Sequence, residues 1–536
     1  MMILPKGFCV VFMSAVISLA TTVHGITPAT TPKPAEQNPA SAGKYHPTRQ
    51  EVSYTCIFNH ELLIIAHNRT NSAAYIKSFI EKLKETDVDA VMCCPTAWRT
   101  NLFPSEVDPT WKKYRPDQPL SKFHSYDYIM RYLHAGGDPV KDTLEACRSS
   151  GKDFFISYRM NDHHYVDDRE WPCHNDLWRD HPEYWFGDSN TSPYTKKDNI
   201  RLFNYMLPQV RNYYFDIIQE LCTNYDVDGV ELDFQRFPKF FYEKDLKEGK
   251  AVMTAFVKRI RDLLDQLGQK RGKSLKLCVR VPEKLVKCRK AGLDIPGWDA
   301  AKLVDMVNVS SSYIHTMELG IEEFQANTKY ARIYGEMNYV TYQRPRPGPK
   351  QPFGRRYTTL PIYYASALNL FSRGADGLSL FNFDYVGKKR ILMAKGLKQI
   401  TDIDYLKKQS KNYVLYPYFG TFPARNEKTA HLIIPDDTKT VPFKSALLRI
   451  ETKKRCTDVP IAVMLNGKKL EACTHKKPEL FTPVANNAGY APRDRLTFYT
   501  VPLDTLITGD NEIKISNLEP KKKPCTFHSL ELALYR

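Results

Sequence analysis

From about residue 60 onward, short apolar or β-branched runs alternate with longer stretches of helical periodicity. In one dimension this is how βαβ units and a parallel sheet read. Eight runs qualify as strands: residues 62–67, 90–94, 153–159, 229–234, 275–281, 306–311, 331–337 and 377–383. Between them lie amphipathic stretches such as 74–84, 210–225, 252–267 and 363–373. Eight parallel strands with helical crossovers predict an α/β fold, a (β/α)₈ TIM barrel, rather than an open doubly wound sheet. No GxGxxG follows the first run, so the phosphate-binding turn of a dinucleotide fold is missing.

After residue 400 the rhythm changes. Short runs at 430–434, 446–451, 461–465, 495–501, 511–515 and 529–535 are separated by turn residues such as Asn466-Gly467 and Gly509-Asp510. That spacing predicts a C-terminal antiparallel β-sandwich, more a buttress for the barrel than a binding module. The division expected is a signal peptide over 1–25, a leader over 26–55, the barrel over 56–405 and the sandwich over 406–536. The leader is rich in Thr, Pro, Ala and Ser, a composition unable to bury enough apolar surface to order itself.

The signal peptide is read from Lys6, an apolar run over 7–20 and the compact residues Val23 and Gly25 before the cut. The run falls short of the roughly 20 apolar residues of a membrane span, so no integral membrane segment is expected in the mature chain. A secreted, extracellular protein is predicted, with the lysosomal lumen as the alternative. Asn68 and Asn190 head acceptor sequons for glycosylation, whereas Asn308 heads one inside a predicted strand and is not expected to be modified. Of twelve cysteines, Cys9 leaves with the signal, and an odd number remains. Cys93, Cys94, Cys222 and Cys278 read as core thiols, and one pairing among Cys456, Cys473 and Cys525 is expected to be a disulfide. No Cys or His spacing suits zinc, and neither metal nor cofactor is expected. The formal charge of +17 is compatible with an anionic polysaccharide partner, sulfated or uronic, and equally with a solvated Lys-rich surface. Export argues against nucleic acid, which is not expected as a partner, and the sequence leaves the oligomeric state unknown.

Barrel chemistry comes from strand C-termini and the loops after them. The third strand runs out into Arg159, Asn161, Asp162, His163 and His164. The long connection that follows carries Trp171, His174, Trp178, His181, Tyr184 and Trp185, and its aromatics are expected to form sugar subsites. In the fourth strand, alternation turns Glu231, Asp233 and Gln235 into the barrel. Buried carboxylates are costly unless paired or used, and close like charges keep one of them protonated. The bland reading is an ion pair with Arg159 or Arg280. Glu336 ends the seventh strand opposite them, giving the two carboxyl groups that glycosidases use as acid and as nucleophile or base. Asp233 is assigned as acid/base, Glu336 as nucleophile or second carboxylate, and Glu231 as a supporting charge. Arg159, Asn161, Asp162, His163, His164, Trp171, Trp178, Gln235, Arg236, Arg280, Tyr313, Asn338, Asn382 and Asp384 are assigned to substrate binding. The absence of GxSxG, P-loop and HExxH motifs removes serine-hydrolase, kinase and zinc-protease readings.

The stretch from Pro208-Gln209-Val210-Arg211 through Asp228-Gly229-Val230-Glu231-Leu232-Asp233 to Arg236-Phe237-Pro238 resembles the glycosyl hydrolases called family-10-like. The run Ser157-Tyr158-Arg159-Met160-Asn161-Asp162-His163 is similar to their third-strand segment, and the likeness covers roughly residues 60–400. It implies a barrel acting on carbohydrate, with Asp233 matching the family's fourth-strand aspartate. The spacing is also similar to the fourth-strand motif of family 18 chitinases, whose last position is the catalytic glutamate. Here that position is Gln235, and Glu231 stands where aspartate is usual. A chain working like a chitinase would then be an inactive, chitinase-like lectin. The reading carried forward is a glycoside hydrolase cleaving a poly- or oligosaccharide with two carboxylates. Its alternative is a catalytically inactive carbohydrate-binding protein, which a site without a carboxyl pair closer than about 10 Å would favour.

Overall fold

Parallel strands buried on both faces need neighbours on both edges, and here the sheet supplies them by closing on itself. In the computed structural model the barrel strands are β1 (Cys56–Glu61), β2 (Ala90–Cys94), β3 (Asp153–Arg159), β4 (Gly229–Asp233), β5 (Lys276–Pro282), β6 (Met306–Ser310), β7 (Arg332–Asn338) and β8 (Gly377–Phe381). Each pairs with its sequence neighbours in parallel, and β8 returns to β1 through Cys56↔Leu378 and Phe58↔Leu380. The residues described are 51–65, 72–121, 124–187, 201–344, 354–383, 395–416, 422–424, 427–452, 459–474, 479–481, 495–520 and 525–536.

Seven strands lie where hydrophobic patterning puts them. The first does not: the apolar run at 62–67 enters a helical turn, Leu62–Ile65, and the strand is the preceding Cys56–Glu61. Its interior positions hold Asn59 and Glu61, so polarity that belongs to the barrel lumen hides the strand from an apolar search. Helices Ser72–Glu81, Pro208–Asn224, Leu246–Arg271 and Leu360–Ser372 overlie the four amphipathic stretches. Gly272, at φ 66°, caps the 26-residue Leu246–Arg271 helix in the left-handed conformation that stops such helices.

Alternation along the strands sorts the lumen into layers. At the N-terminal end Ile57, Met92, Phe155, Cys278, Met306 and Tyr334 pack as an apolar plug. One step up lie Ser157, Glu231, Asn308 and Ser379, and above them Glu61, Arg159, Asp233, Arg280, Ser310 and Glu336, all buried. A dry base thus carries a polar and charged top.

Antiparallel strands follow, in two sheets. One contains β9 (Lys411–Leu415), β11 (Ser445–Thr452), β13 (Arg495–Val501) and β15 (Cys525–Tyr535). The other contains β10 (Glu427–Ile434), β12 (Ile461–Leu465) and β14 (Gly509–Asn517). Asn466 and Gly467, at φ 50° and 81°, form the two-residue turn after β12 that an Asn-Gly pair favours. Leu432, Leu448, Ile450, Val463, Leu465 and Ile513 fill the space between the sheets, and Ile362 and Ala365 of the barrel join that cluster.

A second connection is ionic. A hairpin between β7 and β8, Val340–Arg344 with Gly354–Tyr357, carries Arg356 into the sandwich. There Arg356 meets Glu451 at 2.8 Å, and Arg449, Asn412 and Tyr416 surround Glu531. Every member is buried.

All nine cysteines with described side chains are free, Cys473 among them. Cys473 therefore drops out of the expected disulfide, and the remaining pairing, Cys456 with Cys525, falls outside the described side chains. Among the described residues no helix is long and apolar enough to cross a membrane, and no His, Cys, Asp and Glu cluster could hold a metal ion.

Candidate active site

Asp233 and Glu336 reach the lumen from β4 and β7, and Arg280 of β5 lies between them. Its Nη1 donates to Asp233 Oδ1 at 2.9 Å, while Nε and Nη2 grip both oxygens of Glu336 at 2.5 and 2.9 Å. Nη2 also reaches Ser310 Oγ and the Ser312 carbonyl, and the guanidinium rests 3.9 Å above the Phe381 ring. Burial opposes the charge on Arg280, but Asp233 and Glu336 outweigh it and raise its pKa above the ordinary value. Both carboxylates on one fork-shaped cation are within about 8 Å of each other, inside the span that glycosidase carboxyl pairs occupy. The ion pair with Arg280, the bland expectation, is therefore present, and the close carboxyl pair is present with it.

Asp233 has further ties. Its Oδ1 accepts from the backbone N–H groups of Gln235 and Arg236, each at 3.0 Å, fixing the turn after β4. Three donors thus converge on one oxygen. Glu231 sits one layer deeper, accepting from Ser157 Oγ at 2.6 Å and Asn308 Nδ2 at 3.0 Å. Burial, then the charge of Asp233, raises its pKa above 4.5. Asn308 is spent on Glu231 and Ser379 inside the barrel, where no glycan could be attached.

A second charged group joins β1 and β3. Arg159 pairs with Glu61 and approaches Asp162 at 3.7 Å. Burial alone would raise the Asp162 carboxyl, but His164, Arg99 and Arg159 hold it well below the usual range. Asp162 Oδ1 fixes His164 through Nδ1 at 2.7 Å, and His164 Nε2 meets Arg236 Nη2 at 3.2 Å. Burial pushes His163 down to about 3, and its ring packs edge-on to Phe237. Asn161 donates to the carbonyls of Phe203 and Lys239 and accepts from two backbone N–H groups. It staples the long connection and has nothing left for a substrate.

The aromatic expectation needs correction. Trp171, Trp178 and Trp185 are buried, Trp178 completely, with its indole N–H on the Arg201 carbonyl and Arg99 over its ring. His174 is buried too, accepting from Arg99 and capping two carbonyls, and its pKa falls to about 3 through burial. With their rings buried, Trp171 and Trp178 pack the long connection and present no open face to a sugar. The partly exposed rings at the mouth are instead Trp98, Tyr165, Phe237 and Tyr313. Trp98 and Phe237 face His164, while Phe237 and Tyr313 flank Arg236. Of these four, only Tyr313 was a sequence candidate.

Asn338 bonds Glu336 and Ser311, and Asn382 is buried at φ 50°. Trp98, Tyr165 and Ser312 are also left-handed, at φ 55°, 55° and 74°. Four non-glycine residues in this costly conformation border one face of the barrel, and such strain collects at functional sites. Among the described residues, the amide oxygens of Gln235, Asn338 and Asn382 are buried without a partner, and buried acceptors of that kind call for water or a ligand. Asp384, Asn68 and Asn190 lie outside the described residues. Glu61 and Arg99 were missed by sequence reasoning: Glu61 through the displaced first strand, Arg99 because a lone arginine in a loop gives no signal.

No protein-family model and no curated protein matches the sequence. Solved glycoside hydrolases do match in structure. A family 18 N-acetylglucosaminidase from Paenibacillus barengoltzii is 11% identical over 65% of this chain and 100% of its own, with a TM-score of 0.36. Alpha-L-fucosidase isoenzyme 1 from Paenibacillus thiaminolyticus is 13% identical over 86% and 96%, at 0.35. A chitinase from Chromobacterium violaceum is 10% identical over 64% and 99%, also at 0.35. Likenesses of this size say nothing about the site, and the barrel rests on its own strand pairing.

Proposed function

We propose that this chain is a glycoside hydrolase, of the family-10-like kind its sequence resembles, cleaving a poly- or oligosaccharide at the C-terminal mouth of its barrel. The observation that carries the proposal is the meeting of a β4 and a β7 carboxylate on one buried guanidinium. Glu336 suits the nucleophile or base, because Arg280 holds both its oxygens in place. Asp233 suits the acid only after Arg280 lets go of it, since three donors occupy its Oδ1. Sugar hydroxyls entering the mouth are the groups that could compete for those donors. Secretion is part of the same proposal, resting on the N-terminal segment.

A second reading, a carbohydrate-binding protein without hydrolysis, draws on Gln235 and on the closed Asp233–Arg280 pair. The test is reducing-end release from a panel of neutral and anionic polysaccharides by the purified chain, its Glu336→Gln variant and its Asp233→Asn variant. Hydrolysis lost by a factor of at least about a thousand in Glu336→Gln supports the enzyme. Binding without turnover in the parent chain overturns it in favour of the second reading.

A further inference from the structure

Among the described residues, four arginines stand at the barrel mouth, and three have their donors engaged. Arg280 holds two carboxylates, Arg159 holds Glu61, and Arg99 serves two carbonyls and an imidazole. Arg236 differs. Among the described residues it has no carboxylate within ion-pair distance, and its single side-chain hydrogen bond is from Nη2 to the neutral edge of His164. Its Nε is buried without a partner. Phe237 and Tyr313 lie over the guanidinium at 5.3 and 5.7 Å, each within cation–π range. Ring contacts leave the N–H edge as the part open to an acceptor. A partly desolvated cation without a counter-ion is costly, and a fork of this shape matches an oxyanion. The amide oxygen of neighbouring Gln235, buried and without a partner among the described residues, is a further acceptor on the same turn.

Resting on the proposed carbohydrate site, we infer that Arg236 binds a negatively charged substituent of the glycan, so that the substrate class is an anionic saccharide. The oxyanion is a uronic carboxylate or a sulfate ester. The turn that caps Asp233 with the Arg236 backbone N–H carries this cation three residues on from that carboxylate. The charged substituent therefore belongs on a sugar ring adjoining the scissile bond.

The experiment is titration calorimetry of the full chain with size-matched oligosaccharides: neutral, uronic and sulfated. It is repeated with Arg236→Gln and Arg236→Lys, with thermal midpoints measured in parallel. One anionic series should bind at least about tenfold more tightly than the neutral one, and which series wins separates carboxylate from sulfate. Arg236→Gln should lose about 10- to 100-fold, the range of a charged hydrogen bond, and Arg236→Lys should recover part of it. Unchanged anion affinity in a folded Arg236→Gln chain overturns the inference, as does equal binding of all three series. Glu336-dependent hydrolysis of neutral glycans alone would sink the anion site and leave the hydrolase. Arg236-dependent binding without any hydrolysis would do the reverse.

Discussion

Replacing Arg280 with methionine tests the organisation of the site without any knowledge of the substrate. The guanidinium is fully buried and reaches Asp233, Glu336, Ser310 and the Ser312 carbonyl. Methionine fills much of the volume over Phe381 but removes the cation, leaving two buried carboxylates facing each other. Breaking one buried pair costs about 3–5 kcal/mol. Two carboxylates share this cation, so a loss near the top of that range is expected at pH 7. The direction with pH follows from the protons. In the variant the orphaned carboxyls gain by protonation in the folded state more than in the unfolded chain, so folding takes up protons. The variant's stability then falls as pH rises, and its deficit is greatest at neutral pH and shrinks toward pH 4. Denaturant unfolding followed by tryptophan fluorescence, at steps between pH 4 and 8, measures both the size and the slope. A deficit under about 1 kcal/mol at pH 7, or one that grows on acidification, would refute the picture of Arg280 as the counter-ion of the pair.

Other outcomes follow from the same geometry. Glu231→Gln should leave the protein as stable or more stable at neutral pH. A carboxyl whose pKa is raised on folding contributes stability below 4.5 that disappears as pH rises through the folded value; any gain in the variant must therefore vanish at acid pH. Trp178→Ala should cost about 3–5 kcal/mol of stability, read from chemical unfolding, while the folded fraction keeps its glycan affinity; a selective loss of affinity would return Trp178 to the cleft. Arg356→Met should destabilise the chain by about 3 kcal/mol through the Glu451 carboxylate it abandons, and separate unfolding transitions for barrel and sandwich should appear by calorimetry. A single unshifted transition would remove the hairpin's bridging role.

Fold and site were legible to different depths. Val, Ile and Leu in alternation with helical stretches locate β2 to β8, because a parallel strand buried on both faces has little freedom in composition. β1 escaped for the opposite reason: Asn59 and Glu61 serve the lumen, and the apolar 62–65 beside them drew the assignment away. Position alone singled out Asp233 and Glu336, since strand ends in a barrel point at one place, and the structure brings the two onto Arg280. Which cation would join them was open, as both Arg159 and Arg280 had the right strand and the right reach. The tryptophans of the long connection could not be sorted by type at all. A ring that binds sugar and a ring that lets a loop fold have the same apolar face, and only the packing of Trp171 on Tyr165 and Trp178 under Arg99 tells them apart.

The contact made by Arg356 bears on how this chain can be cut. The cation belongs to a hairpin of the barrel, and its carboxylates belong to β11 and β15 of the sandwich. Severing the chain before β9 would hand one fragment an orphan arginine and the other an orphan Glu451, while Glu531 kept Arg449, and would strip Ile362 and Ala365 of their cover. Neither piece is then a module in the sense of a part that can be shuffled. Each half acts as an internal scaffold for the other, and the hairpin that carries Arg356 leaves β7 two residues beyond Asn338, whose side chain touches Glu336. An altered sandwich would be felt at the carboxylate, and recombination that exchanged it would be selected on the barrel's work.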